Sequence, residues 1–198
     1  IPDGERILTW EQVYALDRSP QRLVVVGSGV TGAEFACAYQ ALGSEVVLVS
    51  SREHVLPGED PDAAQVLEDV FERRGMTVLR RSRAESAVRT ADGVLVTLAD
   101  GRTVEGSHCL MAVGSVPNTD GLGLDKAGTR TDARGYIEVD DQCRTSAKGV
   151  WAVGDCNGRG AFTHTSWNDH EIVVANLFDD DPRRISHRIA CYALFIDP

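Results

Sequence analysis

A chain of 198 residues can hold one large domain or two small ones with a sizeable core, and 42% hydrophobic with 25% charged residues is a globular composition. No low-complexity tract occurs, and no apolar run is long enough to cross a bilayer as a helix. The formal net charge of −10 argues against non-specific binding to nucleic acid or an anionic membrane, so any bound anion needs a local site.

Ile1-Pro2-Asp3-Gly4 has neither an initiator methionine nor the charged-then-apolar pattern of a secretion signal. Next, Leu23-Val24-Val25-Val26 reads as a buried strand that runs into Gly27-Ser28-Gly29-Val30-Thr31-Gly32, of form G-x-G-x-x-G. Val30, Ala33, Phe35, Ala36, Ala38, Tyr39 and Leu42 follow at helical spacing until Gly43, and Val46–Val49 is a second buried strand. A lone glycine motif also occurs in turns that bind nothing, but inside a βαβ unit it reads as a dinucleotide cradle. Gly27 permits the tight turn, Gly29 lets backbone approach a pyrophosphate, and Gly32 lets helix and strand pack closely. The anion would sit on the helix N-terminus, where unpaired N–H groups and the dipole favour it.

The end of the second strand reads the adenosine ribose, and an Asp or Glu there would favour NAD. This chain has Ser50-Ser51-Arg52 instead, with Glu53 and His54 beyond. That leans toward NADPH, with Arg52 pairing a 2′-phosphate and both serines donating hydrogen bonds, while NADH stays open. The alternative for Arg52 is a solvated surface charge.

Asp60-Pro61 opens a second amphipathic helix that ends near Gly75, and Thr77-Val78-Leu79 is a third strand. Arg73, Arg74, Arg80, Arg81 and Arg83 cluster here and read as a solvated helix end and strand edge. Ala84–Thr90, Val94–Leu98 and Arg102–Glu105, divided by Asp92-Gly93 and Asp100-Gly101, form an antiparallel meander. Cys109 to Val113 is again a buried strand, before Gly114. The fold expected is α/β, a Rossmann-like nucleotide domain with an antiparallel insertion.

Gly149 to Asp155 reads as a short apolar strand ending in Gly154-Asp155, whose carboxylate can accept from a sugar or ribitol hydroxyl. Tyr192 to Ile196 reads as a further strand with nothing to pair it, so a longer protein is expected, cytoplasmic by default. Cys37, Cys109, Cys143, Cys156 and Cys191 are odd in number and contain no C-x-x-C, which disfavours a disulfide framework and shows no zinc or redox pair. Cys37 and Cys109 read as buried small hydrophobes.

With these motifs in order, the chain resembles the class I pyridine nucleotide-disulfide oxidoreductases, flavoproteins with two dinucleotide sites that include lipoamide dehydrogenase, glutathione reductase and mercuric reductase. Gly27 to Glu34 resembles their NAD(P) loop, Val113 to Asn118 their interdomain G-x-x-P-N segment, and Val150 to Asp155 their second flavin motif. Residues 23–157 most resemble actinobacterial NAD(P)H quinone reductases related to lipoamide dehydrogenase, whereas residues 160–169 look like the mercuric-reductase branch.

The resemblance implies that Asp155 binds the ribitol of FAD and that Phe162, Thr163 and His164 bring groups to the flavin edge. It also implies that Glu34 lies beside the nicotinamide and that Gly114 belongs to the interdomain segment. Plainer readings are a solvated carboxylate for Glu34 and a packed loop residue for His164. Where many relatives carry Arg and an aromatic, this chain has Ser115 and Val30.

The implied organisation is a segment leading from a flavin domain over 1–20 and an NAD(P) domain over 21–115. The C-terminal half of a flavin domain follows over 116–182, then the start of a dimer-interface domain over 183–198. The implied activity is hydride transfer from NAD(P)H to FAD and on to a quinone, disulfide or metal ion, in a homodimer. No catalytic residue of the family falls within these residues, and no metal site is expected. The competing reading is a non-catalytic NAD(P)-binding Rossmann module.

Overall fold

A computed structural model of the chain describes residues 1–197. They form two units, one of Ile1–Gly114 with the segment from Leu194, the other of Ser115–Ala193. In chain order the strands are β1 (Ile7–Leu8), β2 (Arg22–Val26), β3 (Glu45–Val49), β4 (Thr77–Leu79), β5 (Ala84–Arg89), β6 (Val94–Leu98), β7 (Thr103–Gly106) and β8 (His108–Met111). The α-helices are α1 (Trp10–Tyr14), α2 (Val30–Ala41), α3 (Pro61–Arg73) and α4 (Thr163–Phe178).

The first unit is built on a five-stranded sheet of order β1-β8-β2-β3-β4, every pair parallel. Successive side chains of a strand point to opposite faces, and here both faces are covered. Leu23 and Val25 pack with Leu48, Leu110, Ala33, Ala36 and Phe71 on the helical side. Val24 and Val26 pack with Val49, Cys109, Val96 and Leu98 on the other. That two-sided burial explains why β2 and β3 read as unbroken apolar runs.

The second covering is the antiparallel sheet β5-β6-β7. Val94, Val96 and Leu98 alternate inward from it and are almost fully buried. The fold is therefore α/β with a three-stranded antiparallel insertion, as expected.

Local signals place the helices. Gly29 precedes α2, and beyond its end Gly43 turns at φ +91°. Asp60 caps α3, its carboxylate accepting from the N–H groups of Asp62 and Ala63, with Pro61 in the first turn. Phe71 of α3 is fully buried, worth about 1.5–3 kcal/mol by transfer from water.

Residues 1–20 supply β1 and α1, with Leu8 and Val13 both at 1% exposure. Three expectations change. The strand expected to reach Val113 stops at Met111, and Val113 is exposed. Gly149 to Asp155 is not a strand: only Trp151 bridges, to Arg144, because Gly149 (φ +80°) and Gly154 (φ +79°) bend the chain on either side. Tyr192 to Ile196 likewise pairs with no strand, and from Leu194 onward it packs as an irregular segment of the first unit.

The second unit has little regular structure before α4. Two isolated bridges, Thr131 with Ile137 and Arg144 with Trp151, are its only β pairings among the described residues. Its main buried face comes from α4, where Thr165, Asp169, Ile172 and Ala175 fall on one stripe at helical spacing.

Candidate functional site

At the carboxyl ends of β2 and β8 the strand order reverses, which is where open α/β sheets hold ligands. The glycine loop lies at this point, and its three glycines differ. Gly27 sits at φ +110°, and a Cβ there would lie 2.2 Å from the Ala112 carbonyl oxygen. A Cβ on Gly32 would lie 1.9 Å from the Gly27 carbonyl oxygen, so α2 needs glycine to pack on the loop. Gly29 has ordinary backbone (φ −70°), and a Cβ there would meet nothing within 4 Å.

The space in front of Gly29 is thus an open cradle beside the N-terminus of a 12-residue helix that has no side-chain cap. Val30 is half-buried and Thr31 is exposed on its first turn. Its backbone amides suit a bound anion, and the residues present fit a dinucleotide pyrophosphate.

At the end of β3 the two serines part ways. Ser51 and Arg52 are exposed, but Ser50 is fully buried. Its hydroxyl bonds the Ser28 hydroxyl at 2.6 Å, accepts from the Arg52 N–H and donates to the Arg52 carbonyl. Ser50, expected to meet the nucleotide, is buried here, and its hydroxyl holds the glycine loop and shapes the turn that carries Arg52.

The following loop is tied to the same place. Leu56 N–H donates to the Ser28 carbonyl at 2.7 Å, and buried Leu56 is held at φ 54°, a conformation costly for a residue with a Cβ. Arg52, Glu53, His54, Leu56, Pro57 and Glu59 line an open cavity of about 510 Å³. Around it the basic cluster is paired: Arg80 with Glu72 and Glu68, Arg81 with Glu53, and Arg74 with Asp197. Glu34, on α2, is half-exposed, and its carboxylate accepts from the Phe195 N–H at 2.8 Å. Gly114 lies in the exposed segment after β8 at φ +110°.

In the second unit Asp155 opens a short 3₁₀ turn directly after Gly154, and it is exposed. The turn is held from behind by Asp169 of α4. That carboxylate is buried, accepting from the Gly154 N–H at 2.9 Å and from the Asn157 side-chain amide at 2.7 Å. Arg188 closes the network, its guanidinium pairing with Asp169 and donating to the Asn168 side chain.

Phe162 precedes α4, and exposed Thr163 and His164 begin it. The Phe162 ring stacks on His164 at 5.4 Å on one side and on Tyr192 at 5.3 Å on the other. An exposed carboxylate after a positive-φ glycine, next to an open helix start, fits the hydroxylated chain and ring edge of a flavin. A larger cavity of about 610 Å³ is lined by Arg130, Arg134 and Arg144, which pair with Glu138, Asp132 and Asp140, and by Arg159, whose guanidinium donates to the Val139 carbonyl.

Asp169, Asn157 and Arg188 escaped the sequence reading. One signal was present for Asp169: a carboxylate four residues after Thr165 and three before Ile172 lies on the apolar stripe of its helix, where only a paired charge is tolerated. Cys37 and Cys109 are buried, matching their reading as small hydrophobes, and burial pushes the Cys109 and Cys143 thiols up to about 12, far from a reactive thiolate.

Residues 2–169 match the family described as pyridine nucleotide-disulphide oxidoreductase. The chain is 59% identical over 157 residues to an NAD(P)H dehydrogenase (quinone) of Mycobacterium tuberculosis, covering 79% of this chain and 32% of that protein. It is 36% identical over 200 residues to dihydrolipoyl dehydrogenase 2 of Haloarcula marismortui, covering 99% of this chain and 42% of the relative.

Among solved structures, LpdA of Mycobacterium tuberculosis superposes with a TM-score of 0.85 at 52% identity, over 90% of this chain and 39% of that one. The copper(II) complex of RclA, an HOCl-induced flavoprotein disulfide reductase of Escherichia coli, gives 0.92 at 27% identity, over 99% and 46%. The chain thus spans less than half the length of these relatives. A match over most of its residues, with the parallel sheet and its antiparallel insertion, places the chain in the pyridine nucleotide-disulphide oxidoreductase family.

Proposed function

We propose that this chain serves an FAD-dependent NAD(P)H oxidoreductase, in which it holds the reduced nicotinamide nucleotide and contributes part of the flavin site. The observation that carries the reading is the open cradle at Gly29, kept clear on a backbone that would accept a side chain. Hydride acceptance and onward transfer are the chemistry that a bound flavin supplies. The chain's own residues bind and orient.

In this reading the amides after Gly29 hold the pyrophosphate, while Ser51 and Arg52 meet the adenosine end and favour NADPH over NADH. Glu34 lies beside the nicotinamide. Asp155 accepts from a ribitol hydroxyl, and the start of α4 at Thr163 and His164 meets the flavin edge. A quinone, a disulfide or a metal ion would then take the electrons from a cytoplasmic homodimer. The relatives named as a quinone dehydrogenase and a dihydrolipoyl dehydrogenase support the class of reaction and differ in the acceptor.

The test is spectroscopic. The full-length protein carrying these residues is expected to purify with a flavin band in the visible and to lose it on anaerobic addition of NADPH. A colourless protein that added FAD does not restore would favour a non-catalytic NAD(P)-binding module instead.

A further inference from the structure

Asp169 of α4 is 2% exposed, and its two carboxylate oxygens serve different parts of the second unit. Oδ2 accepts from the Gly154 N–H at 2.9 Å and from the Asn157 side-chain amide at 2.7 Å, so it faces the turn that presents Asp155. Oδ1 meets the Arg188 guanidinium. The turn itself does not require a charge. Asn157 also donates to the Ala152 carbonyl at 3.0 Å and accepts from the Arg159 N–H at 2.8 Å, and a neutral acceptor could satisfy the Gly154 N–H.

A buried ion pair is a poor source of stability, because desolvating both charges offsets most of their attraction, whereas removing one partner strands the other. Its effect is to tie two pieces of chain to each other. Here the second piece is the segment 183–188, which follows α4. The Asn176 side chain donates to the Arg183 carbonyl at 2.8 Å, and the Ile185 and Ser186 N–H groups donate to Asp141, each at 2.8 Å. Arg183, Arg184, Ser186 and His187 are exposed. Arg188 is the anchor that reaches inward: its side chain is 12% exposed and donates to the Asn168 side chain at 2.8 Å and to the Arg159 carbonyl at 3.4 Å.

We infer that Arg188, acting through Asp169, is a positioning residue for the flavin turn, and that the seating of segment 183–188 and the binding of FAD favour each other. The inference rests on the reading of Asp155 as a flavin contact. With Arg188 seated, the Asp169 charge is compensated and the carboxylate stays beneath Gly154. With Arg188 withdrawn, the carboxylate is buried and unpaired, and it regains solvent by leaving the Gly154 and Asn157 N–H groups behind. Asp155 follows Gly154 directly, so its presentation changes with the segment. Coupling between two sites is reciprocal, so what seating contributes to FAD affinity, bound FAD returns to the segment.

The experiment takes the full-length protein freed of flavin and titrates it with FAD, followed by quenching of flavin fluorescence, for wild type, Arg188→Gln, Arg188→Lys and Asp169→Asn. NADPH titration of the same samples reports that the first unit is folded. Arg188→Gln is expected to weaken FAD about tenfold, and Arg188→Lys, which keeps the charge without the guanidinium fork, to recover part of the loss. Asp169→Asn keeps an acceptor oxygen for Gly154 and is expected to weaken FAD as well. Adding Arg188→Gln to it should then cost little more, because the two side chains act as one unit. Hydrogen exchange across 183–188 supplies the reciprocal reading: FAD should slow it about tenfold in wild type and hardly at all in Arg188→Gln.

Wild-type FAD affinity in Arg188→Gln would overturn the inference, even with a lowered urea midpoint, which marks a packing role. So would exchange across 183–188 that FAD leaves unchanged in wild type. A wild-type protein that holds no FAD would instead overturn the flavin reading, and this inference with it.

Discussion

In residues 1–114 the glycine loop hangs from a five-stranded parallel sheet and takes its shape from backbone bonds, from Gly27 and Gly32, and from the Ser28–Ser50 hydroxyl bond. In residues 115–193 the Gly154–Asp155 turn has almost no sheet behind it, and the side chains of Asp169, Asn157 and Arg188 hold it. The first arrangement is specified by residues close in sequence and tolerates side-chain change wherever a Cβ fits. The second depends on a buried ion pair, whose loss on one side leaves an uncompensated charge.

The comparison breaks most clearly at Asp169. Asp169→Ala strands the Arg188 guanidinium, whose side chain is 12% exposed, and is expected to destabilise the second unit by about 3–5 kcal/mol. Urea unfolding followed through Trp151 and Trp167 fluorescence checks it, and an unchanged midpoint would show the pair to be dispensable.

Gly29→Val comes next and acts on binding alone. Its Cβ enters open space at a permitted φ, so the urea midpoint should hold while nucleotide affinity falls about a hundredfold, or about 2.7 kcal/mol. Unchanged affinity would refute the cradle. Gly32→Ala sharpens the contrast, since its Cβ collides with the loop backbone; it should cost about 1–3 kcal/mol of stability in the first unit.

The smallest effect concerns pH. Burial, with Arg6 nearby, lowers the pKa of His108 in β8 below the usual 6.5. A depressed folded value means that the unfolded chain binds the proton more readily, so the contribution is present above pH 6.5 and is lost as pH falls. The urea midpoint should drop between pH 7.5 and pH 5.5, and less so in His108→Gln.

What the sequence revealed follows the same division. The βαβ unit and the meander were legible because apolar runs, Asp-Gly turns and helix caps act over a few neighbours, as Asp60-Pro61 and Gly43 show. Ile7-Leu8 was not, because two residues are too few for a period to appear. Ser50 was taken as a ligand donor, yet alternation along β3 places it with Val46 and Leu48 on the helical side, where Ser28 waits. Asp169 and Arg188 are far apart in the chain, and no local pattern announces such a pair. The roles of Gly29, Arg52, Glu34 and Asp155 toward their nucleotides rest on the proposal and its tests.

The segment from Leu194 belongs to the first unit, where the Cys37 thiol and the Arg74 guanidinium donate to the Asp197 carbonyl. Residues 115–193 are thereby an excursion that leaves one folded body and returns to it. In polymer terms they are a closed loop, and the entropy of closure grows only slowly, by about 0.6 kcal/mol for each doubling of length. Such a loop can be lengthened or its contents exchanged at little cost to the sheet it departs from, so the sheet-bearing body can stay fixed while what is threaded between its ends diversifies.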